Sequence, residues 1–182
     1  MPPSDRVLLV LAHPAYERAR VNPVLAEAGA SAPGVVLHDL YETYPDYLID
    51  GEAEQARLVS HPAICLQFPL LWYSVPALLK EWLDLVWLHG FAYGHEGRAL
   101  AGKPLLVATT TGGHASAYGP GGHHRYGLAE FLRPLEQTAR LCGMRWLEPF
   151  VVHGAAVSDD AALARAAQSY RARLASLVAE AG

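Results

Sequence analysis

Three stretches of this chain, residues 7–12, 63–68 and 105–109, are apolar at almost every position. A strand with one wet face alternates apolar and polar side chains. A continuous run of this length instead implies burial on both faces, as in the centre of a parallel sheet. Parallel neighbours cannot be joined by a hairpin and need a crossover, usually a helix. The intervening segments supply that pattern. Residues 22–30 read as a helix with Pro23 in its first turn, where proline is tolerated, and residues 52–59 as a shorter one. From Val75 onward, Leu78, Leu79, Trp82, Leu83 and Val86 recur at helical spacing, with Lys80, Glu81 and Asp84 turned outward. Leu128, Phe131, Leu132, Leu135, Ala139 and Cys142 mark a further helix, which Pro134 either kinks or begins.

The last helix carries a stripe of Leu163, Ala167, Tyr170, Leu174 and Leu177, capped by Ser158, Asp159 and Asp160. Runs at 35–37 and 146–152 bring the expected strands to five, and residues 39–47 read as irregular, acidic and aromatic. The expectation is one doubly wound α/β domain over residues 1–182, a five-stranded parallel sheet with helices on both faces.

Hydrophobic content of 52% against 18% charge suits a packed domain rather than a disordered chain. A net charge of −4 without any basic block leaves no electrostatic footprint for nucleic acid. Met1 to Asp5 are polar and do not resemble a signal peptide, and no apolar run approaches the roughly 18 residues that span a bilayer. A cytoplasmic location is expected. Cys65 and Cys142 lie in a strand and at a helix end, as buried reduced thiols do, with a nucleophilic role as the alternative.

In such a sheet, ligands bind outside the carboxyl ends of the strands. The loops after strands one, three and four are therefore the ones to weigh. The first, residues 13–22, offers His13, Arg18, Arg20 and Asn22 at a helix N-terminus, a setting for a phosphate; a solvated loop with a capping Asn22 is the plainer reading. It lacks both the phosphate-binding P-loop pattern and the Gly-x-Gly-x-x-Gly dinucleotide pattern. The second, Pro69, Leu70, Leu71, Trp72, Tyr73, Ser74, Val75 and Pro76, forms an apolar and aromatic wall suited to a planar heterocycle, or else packs in the core beneath a helix. The third, Thr110, Thr111, Gly112 and Gly113, can present N–H and hydroxyl donors to ring carbonyls. Tyr118, His123 and His124 follow it in a Gly-rich segment that is either a lid over the site or a flexible surface loop.

Nine histidines, with His114, His123 and His124 together and His89 and His95 near one another, give a zinc site some appeal. No His-x-x-x-His pattern or suitably spaced carboxylate supports it, and no metal is expected.

Taken in order, His13-Pro14, Asn22, residues 69–74, residues 80–84, Gly90-Phe91-Ala92-Tyr93-Gly94, Gly102-Lys103-Pro104 and residues 110–113 resemble the NAD(P)H:quinone oxidoreductase family of flavodoxin-like flavoproteins. The likeness is greatest to its short bacterial members, the glutathione-regulated potassium-efflux ancillary proteins, and covers residues 6–175. The resemblance implies a flavin, FMN rather than FAD in so short a chain, with NAD(P)H as co-substrate and a quinone as acceptor. It places His13 and Asn22 at the flavin phosphate, Pro69, Leu70, Leu71, Trp72 and Tyr73 beneath the ring, and Thr110, Thr111, Gly112 and Gly113 at the ring's polar edge. Tyr118 and His124 become the catalytic pair, stabilising negative charge on the reduced flavin in a ping-pong two-electron cycle.

Two positions depart from the family pattern. Ala19 stands where a phosphate-binding Ser is common, with Arg18 or Arg20 as its substitute, and Leu71 replaces a frequent Gln. The family also implies a homodimer, for which the aromatics Trp87, Phe91 and Tyr93 are candidates, with packing in the monomer's own core as the alternative. An alternative role is an ancillary subunit docked, through a surface such as residues 41–47, on a membrane potassium-efflux transporter. That role would place the protein at the inner face of the cell membrane.

Overall fold

The computed structural model describes residues 6–155 and 159–181. The predicted parallel sheet is present. Its strands are β1 (Val7–Leu11), β2 (Val35–Asp39), β3 (Ala63–Pro69), β4 (Pro104–Thr110), β5 (Arg145–Trp146) and β6 (Phe150–Val152). The order is β2-β1-β3-β4, with β5 and β6 both beside β4, and all pairings are parallel. Among the described residues the helices are α1 (Val21–Ala30), α2 (Leu40–Thr43), α3 (Gly51–Ser60), α4 (Ala77–Val86), α5 (Leu128–Leu141) and α6 (Asp160–Glu180).

The alternating side chains of the buried strands build two cores. Leu9, Cys65, Leu106 and Ala108 point to α1 and α6, where they meet Leu25, Tyr170 and Leu174. Leu8, Leu66, Phe68 and Val107 point the other way, toward Leu40 of α2, Leu58 of α3, Trp82 of α4 and Leu132 of α5. Both faces of the sheet are thus covered, as continuous apolar runs require.

Several expectations need correction. The fifth strand is two pieces. Trp146 pairs with Leu105 and Phe150 with Ala108, so three residues on the edge strand span two on β4. Pro149, which has no N–H for the ladder, sits in the extra stretch. Residues 39–47 are not irregular throughout, because the Asp39 carboxylate accepts the N–H groups of Tyr41 and Glu42 and caps α2. Helix α5 begins at Leu128 and runs through Pro134, an exposed position that lacks an N–H for the helix ladder. Asn22 is inside α1 and does not cap it. Asp159 caps α6 by accepting the Ala162 N–H, whereas Ser158 and the polar Met1 to Asp5 lie outside the described residues.

Tyr44 and Trp87, offered as surface aromatics, are core residues at 8% and 5% exposure. Tyr44 is drawn inward by Glu54, a fully buried carboxylate on α3 that also accepts hydrogen bonds from Trp82 Nε1 (2.8 Å) and His38 Nε2 (3.0 Å). Both cysteines are free and buried. Burial pushes the Cys65 thiol up to about 12 and raises that of Cys142, so neither is poised as a thiolate nucleophile.

Candidate active site

Beyond β1 and β3 the chain leaves in opposite directions, which opens a crevice at the carboxyl ends of the strands. Two clefts occupy it. The larger, about 450 Å³, runs from His13, Arg18, Arg20 and Asn22 to Pro69, Leu70, Leu71, Thr110, Thr111 and Gly112. The smaller, about 220 Å³, lies among Leu70, Trp72, Tyr73, Gly112, Gly113, Tyr118 and His124. Leu70 and Gly112 line both, so the two form one continuous groove. The residues expected to hold the cofactor and the expected catalytic pair therefore gather around one groove.

At the wide end, His13 Nδ1 accepts the N–H of Ala15 at 3.1 Å. The neutral ring therefore carries its proton on Nε2, which remains a donor. Burial lowers the pKa of His13, with hydrogen bonding and Asp39 opposing, so the ring is neutral near pH 7. The side chain of Arg20, the N-cap of helix α1, makes no capping hydrogen bond to it, and among the described residues no other side chain caps that end, where first-turn N–H groups and the positive end of the dipole lie. Asn22 is 3% exposed and ties three elements together: its Nδ2 donates to Thr110 Oγ1 (2.9 Å), and Gln67 Nε2 donates to its carbonyl (2.9 Å). Much of its capacity is thus spent on holding α1 against β3 and β4. Arg20 lines the groove but also pairs with Asp160 at 2.6 Å, whereas Arg18 ends a short 3-10 turn beside it.

The wall after β3 is not packed in the core. Leu71 and Ser74 exchange backbone hydrogen bonds (3.0 and 2.9 Å), closing a two-residue hairpin with Trp72 and Tyr73 at its tip. Both have positive φ, 48° and 65°. A tight hairpin turn of this hand normally recruits Asn and Gly, and bulky residues there carry strain. Trp72 is 93% exposed. Tyr73 leans on Phe131 (centroids 5.0 Å apart), and its hydroxyl lies 3.3 Å from His124 Nδ1.

The Gly-rich segment is an ordered lid rather than a loose loop. Tyr118 stacks on His124 at 4.5 Å, and the His124 N–H donates to the Ala117 carbonyl (2.8 Å). A Cβ on Gly113 would come within 3.1 Å of His124 Nε2, so any larger residue would push the His124 ring back by a few tenths of an ångström. A Cβ on Gly112 would meet no protein atom within 4 Å. His123 packs edge-on against His124, at 5.1 Å, and is exposed.

One residue that touches the lining of the groove, though it does not itself line either cleft, went unnoticed in the sequence. His153, just past β6, lies 2.9 Å from Thr111 Oγ1 and tilts against Tyr118 at 5.4 Å. The rule that sites form at strand ends applied equally to the loop after the last strand, and a histidine there was the available signal.

A family model described as "Flavodoxin-like fold" matches residues 5–174. The glutathione-regulated potassium-efflux system ancillary protein KefF of Klebsiella pneumoniae is 44% identical over 168 residues, covering 92% of this chain and 94% of that protein. The crystal structure of general stress protein 14 from Treponema denticola, in complex with FMN, superposes with a TM-score of 0.88 at 36% identity, over 94% of this chain and 99% of that one. A protein from P. pentosaceus described as an NADPH-quinone reductase superposes with a TM-score of 0.85 at 32% identity, over 93% and 97%. Among the described residues, no helix is long and apolar enough to cross a membrane.

Proposed function

This chain belongs to the flavodoxin-like fold family, and from that premise we propose that it is an FMN-dependent NAD(P)H:quinone oxidoreductase whose cofactor lies along the groove. The observation that carries the reading is a set of backbone donors. The N–H groups of Trp72, Tyr73, Gly112 and Gly113 have no acceptor among the described residues, and they stand on the two loops that line the smaller cleft. Unpaired donors of this kind suit the nitrogen and carbonyl acceptors of a planar ring. The open space over Gly112 gives such a ring room. The FMN complex of a relative sharing 36% identity, and the quinone-reductase description of another, support the same assignment.

Flavin, when bound, supplies two-electron chemistry between a nicotinamide and a quinone. The chain's own residues bind and orient. At the wide end, His13 Nε2–H, Arg18, Arg20 and the open first turn of α1 are assigned to the phosphate, with Asn22 fixing that turn. Pro69, Leu70 and Leu71 exclude water along one side, and Thr110 and Thr111 hold the strand end in place. Tyr118 and His124 are assigned the catalytic role, their stacked, half-buried rings offering O–H and N–H donors where negative charge develops. Donors fixed in advance at such a point lower a barrier by a few kcal/mol. Exposed Trp72, Tyr73 and Tyr126 form apolar surface beside the smaller cleft, which a second copy in a homodimer would cover.

The kinship with KefF favours a second reading, in which the protein is an ancillary subunit of a potassium-efflux transporter at the inner face of the membrane, with oxidoreductase activity secondary. One set of measurements separates the two. Purified protein is titrated with FMN, and NADH and NADPH oxidation is followed with a benzoquinone acceptor. Tyr118→Phe and His124→Ala are expected to slow reduction more than they weaken flavin binding. Flavin uptake without quinone turnover favours the ancillary role, and failure to take up flavin overturns both.

A further inference from the structure

Thr111 is 1% exposed, and its hydroxyl makes two short contacts, 2.8 Å to the Gly113 carbonyl and 2.9 Å to His153 Nδ1. A hydroxyl has one proton, and a carbonyl can only accept. The proton therefore goes to Gly113, and the bond to His153 exists only if Nδ1–H donates to Thr111. The neutral ring then leaves Nε2 bare. Burial lowers the pKa of His153, which keeps the ring neutral near pH 7.

The same short segment is fastened to the chain after β6 at further points. Thr111 N–H donates to the Val152 carbonyl (3.0 Å), Ala155 N–H to the Thr111 carbonyl (2.9 Å), and Gly154 N–H to the Gly113 carbonyl (2.9 Å). The Gly113 carbonyl thus receives two donors from the 111–154 side. In a trans peptide, the N–H of His114 points opposite to that carbonyl, and among the described residues it has no acceptor. This peptide is held by the Thr111 hydroxyl together with the Gly154 N–H, and the hydroxyl in turn is oriented by His153. On its other side the His153 ring packs against Tyr118 at 5.4 Å.

We infer that His153 is a positioning residue of the groove: held in the Nδ1–H tautomer, it commits the Thr111 hydroxyl to the Gly113 carbonyl and braces the Tyr118 ring. Its consequence for activity rests on the flavin reading above, whereas its tautomer and its effect on the loop do not. Two substitutions isolate the donor. In His153→Asn, the side-chain amide N–H₂ stands where Nδ1–H stood. His153→Leu keeps the bulk and loses the donor.

The first measurement needs no cofactor. Nitrogen-15 NMR of the wild-type protein should show Nδ1 of His153 protonated and Nε2 not, and an Nε2–H tautomer overturns the inference. Hydrogen exchange of the Gly154 and Ala155 amides should quicken about tenfold in His153→Leu and stay within about threefold of wild type in His153→Asn. With FMN bound, reduction by NADPH should follow the same order, slowed at least tenfold by Leu and restored to within about threefold by Asn. Equal behaviour of the Asn and Leu variants, or of Leu and wild type, refutes the positioning role. If the Leu variant does not fold, the wild-type tautomer and the Asn variant still decide. If wild type takes up no FMN, the flavin reading fails while the NMR and exchange results still judge His153.

Discussion

Replacing Gly112 with alanine is expected to stabilise the empty protein slightly while weakening flavin binding. Gly112 is exposed, its backbone lies outside the left-handed region, and an added Cβ meets nothing within 4 Å. With neither strain nor a clash, the main effect on folding is to stiffen the unfolded chain, worth about 0.4–1 kcal/mol in favour of the native state. For a protein of this size that corresponds to a rise in unfolding temperature of roughly 1–4 °C. The same methyl group enters the space where the groove's two clefts meet. Forcing a methyl into an otherwise well-packed contact costs about 1–3 kcal/mol, a loss of roughly 5- to 150-fold in affinity. Differential scanning fluorimetry of the cofactor-free protein and quenching of FMN fluorescence give the two numbers. A flavin Kd within twofold of wild type, or a fall in unfolding temperature, would refute the reasoning. Gly113→Ala is the informative contrast. There the Cβ would lie 3.1 Å from His124 Nε2 and in ordinary contact, 3.5 Å, with Tyr118 Cε2, so the His124 ring must give by a few tenths of an ångström.

Trp72→Asn should raise the stability of the cofactor-free protein by about 1 kcal/mol, because Trp72 is 93% exposed at φ 48° and asparagine tolerates that conformation; a lower urea midpoint for the variant would contradict the strain assigned to the hairpin tip. Burial alone would raise the pKa of Glu54, but hydrogen bonds from His38, Trp82 and Tyr44 outweigh it and hold the carboxyl below its usual range. The stability it contributes is therefore complete above the unfolded value of about 4.3 and is lost as pH falls through the lower folded value. Glu54→Gln should cost about 1–3 kcal/mol at pH 7 and flatten the acid limb of urea midpoints against pH, and an unchanged acid limb would remove Glu54 from that account.

The parts of the fold that were legible are those where burial acts evenly along an element. Residues 7–11, 63–69 and 104–110 are buried on both faces and had only one reading. Two of the misread stretches are ones where a single polar partner decides. Asp39 turns an apparently irregular stretch into a capped turn of helix, and Glu54 pulls Tyr44 out of a presumed surface patch. The Asp39 cap is local, two and three residues from its donors, and an acid at that position was an available signal, whereas the link from Tyr44 to Glu54 joins two elements that only the tertiary fold brings together. The groove shows the same division. Loops rich in glycine, aromatic and hydroxyl side chains announced themselves after β3 and β4, but the share of Asn22 taken up by Gln67 and Thr110 did not. Nor did the strained geometry at Trp72 and Tyr73, because the residues there are not the ones that such a turn prefers.

The extra residue in the edge strand has a reach beyond the sheet. Because Phe150 is level with Ala108 and Val152 with Thr110, the next residue along, His153, arrives beside Thr111. Removing any one residue from 147–149 would slide the following segment by a single position, bring Gly154 to that level, and exchange the face on which each side chain emerges. The length of this short stretch, which touches no part of the groove, therefore acts as a setting for it. A chain of the same architecture with one residue fewer there would need a different side chain to do what His153 does here.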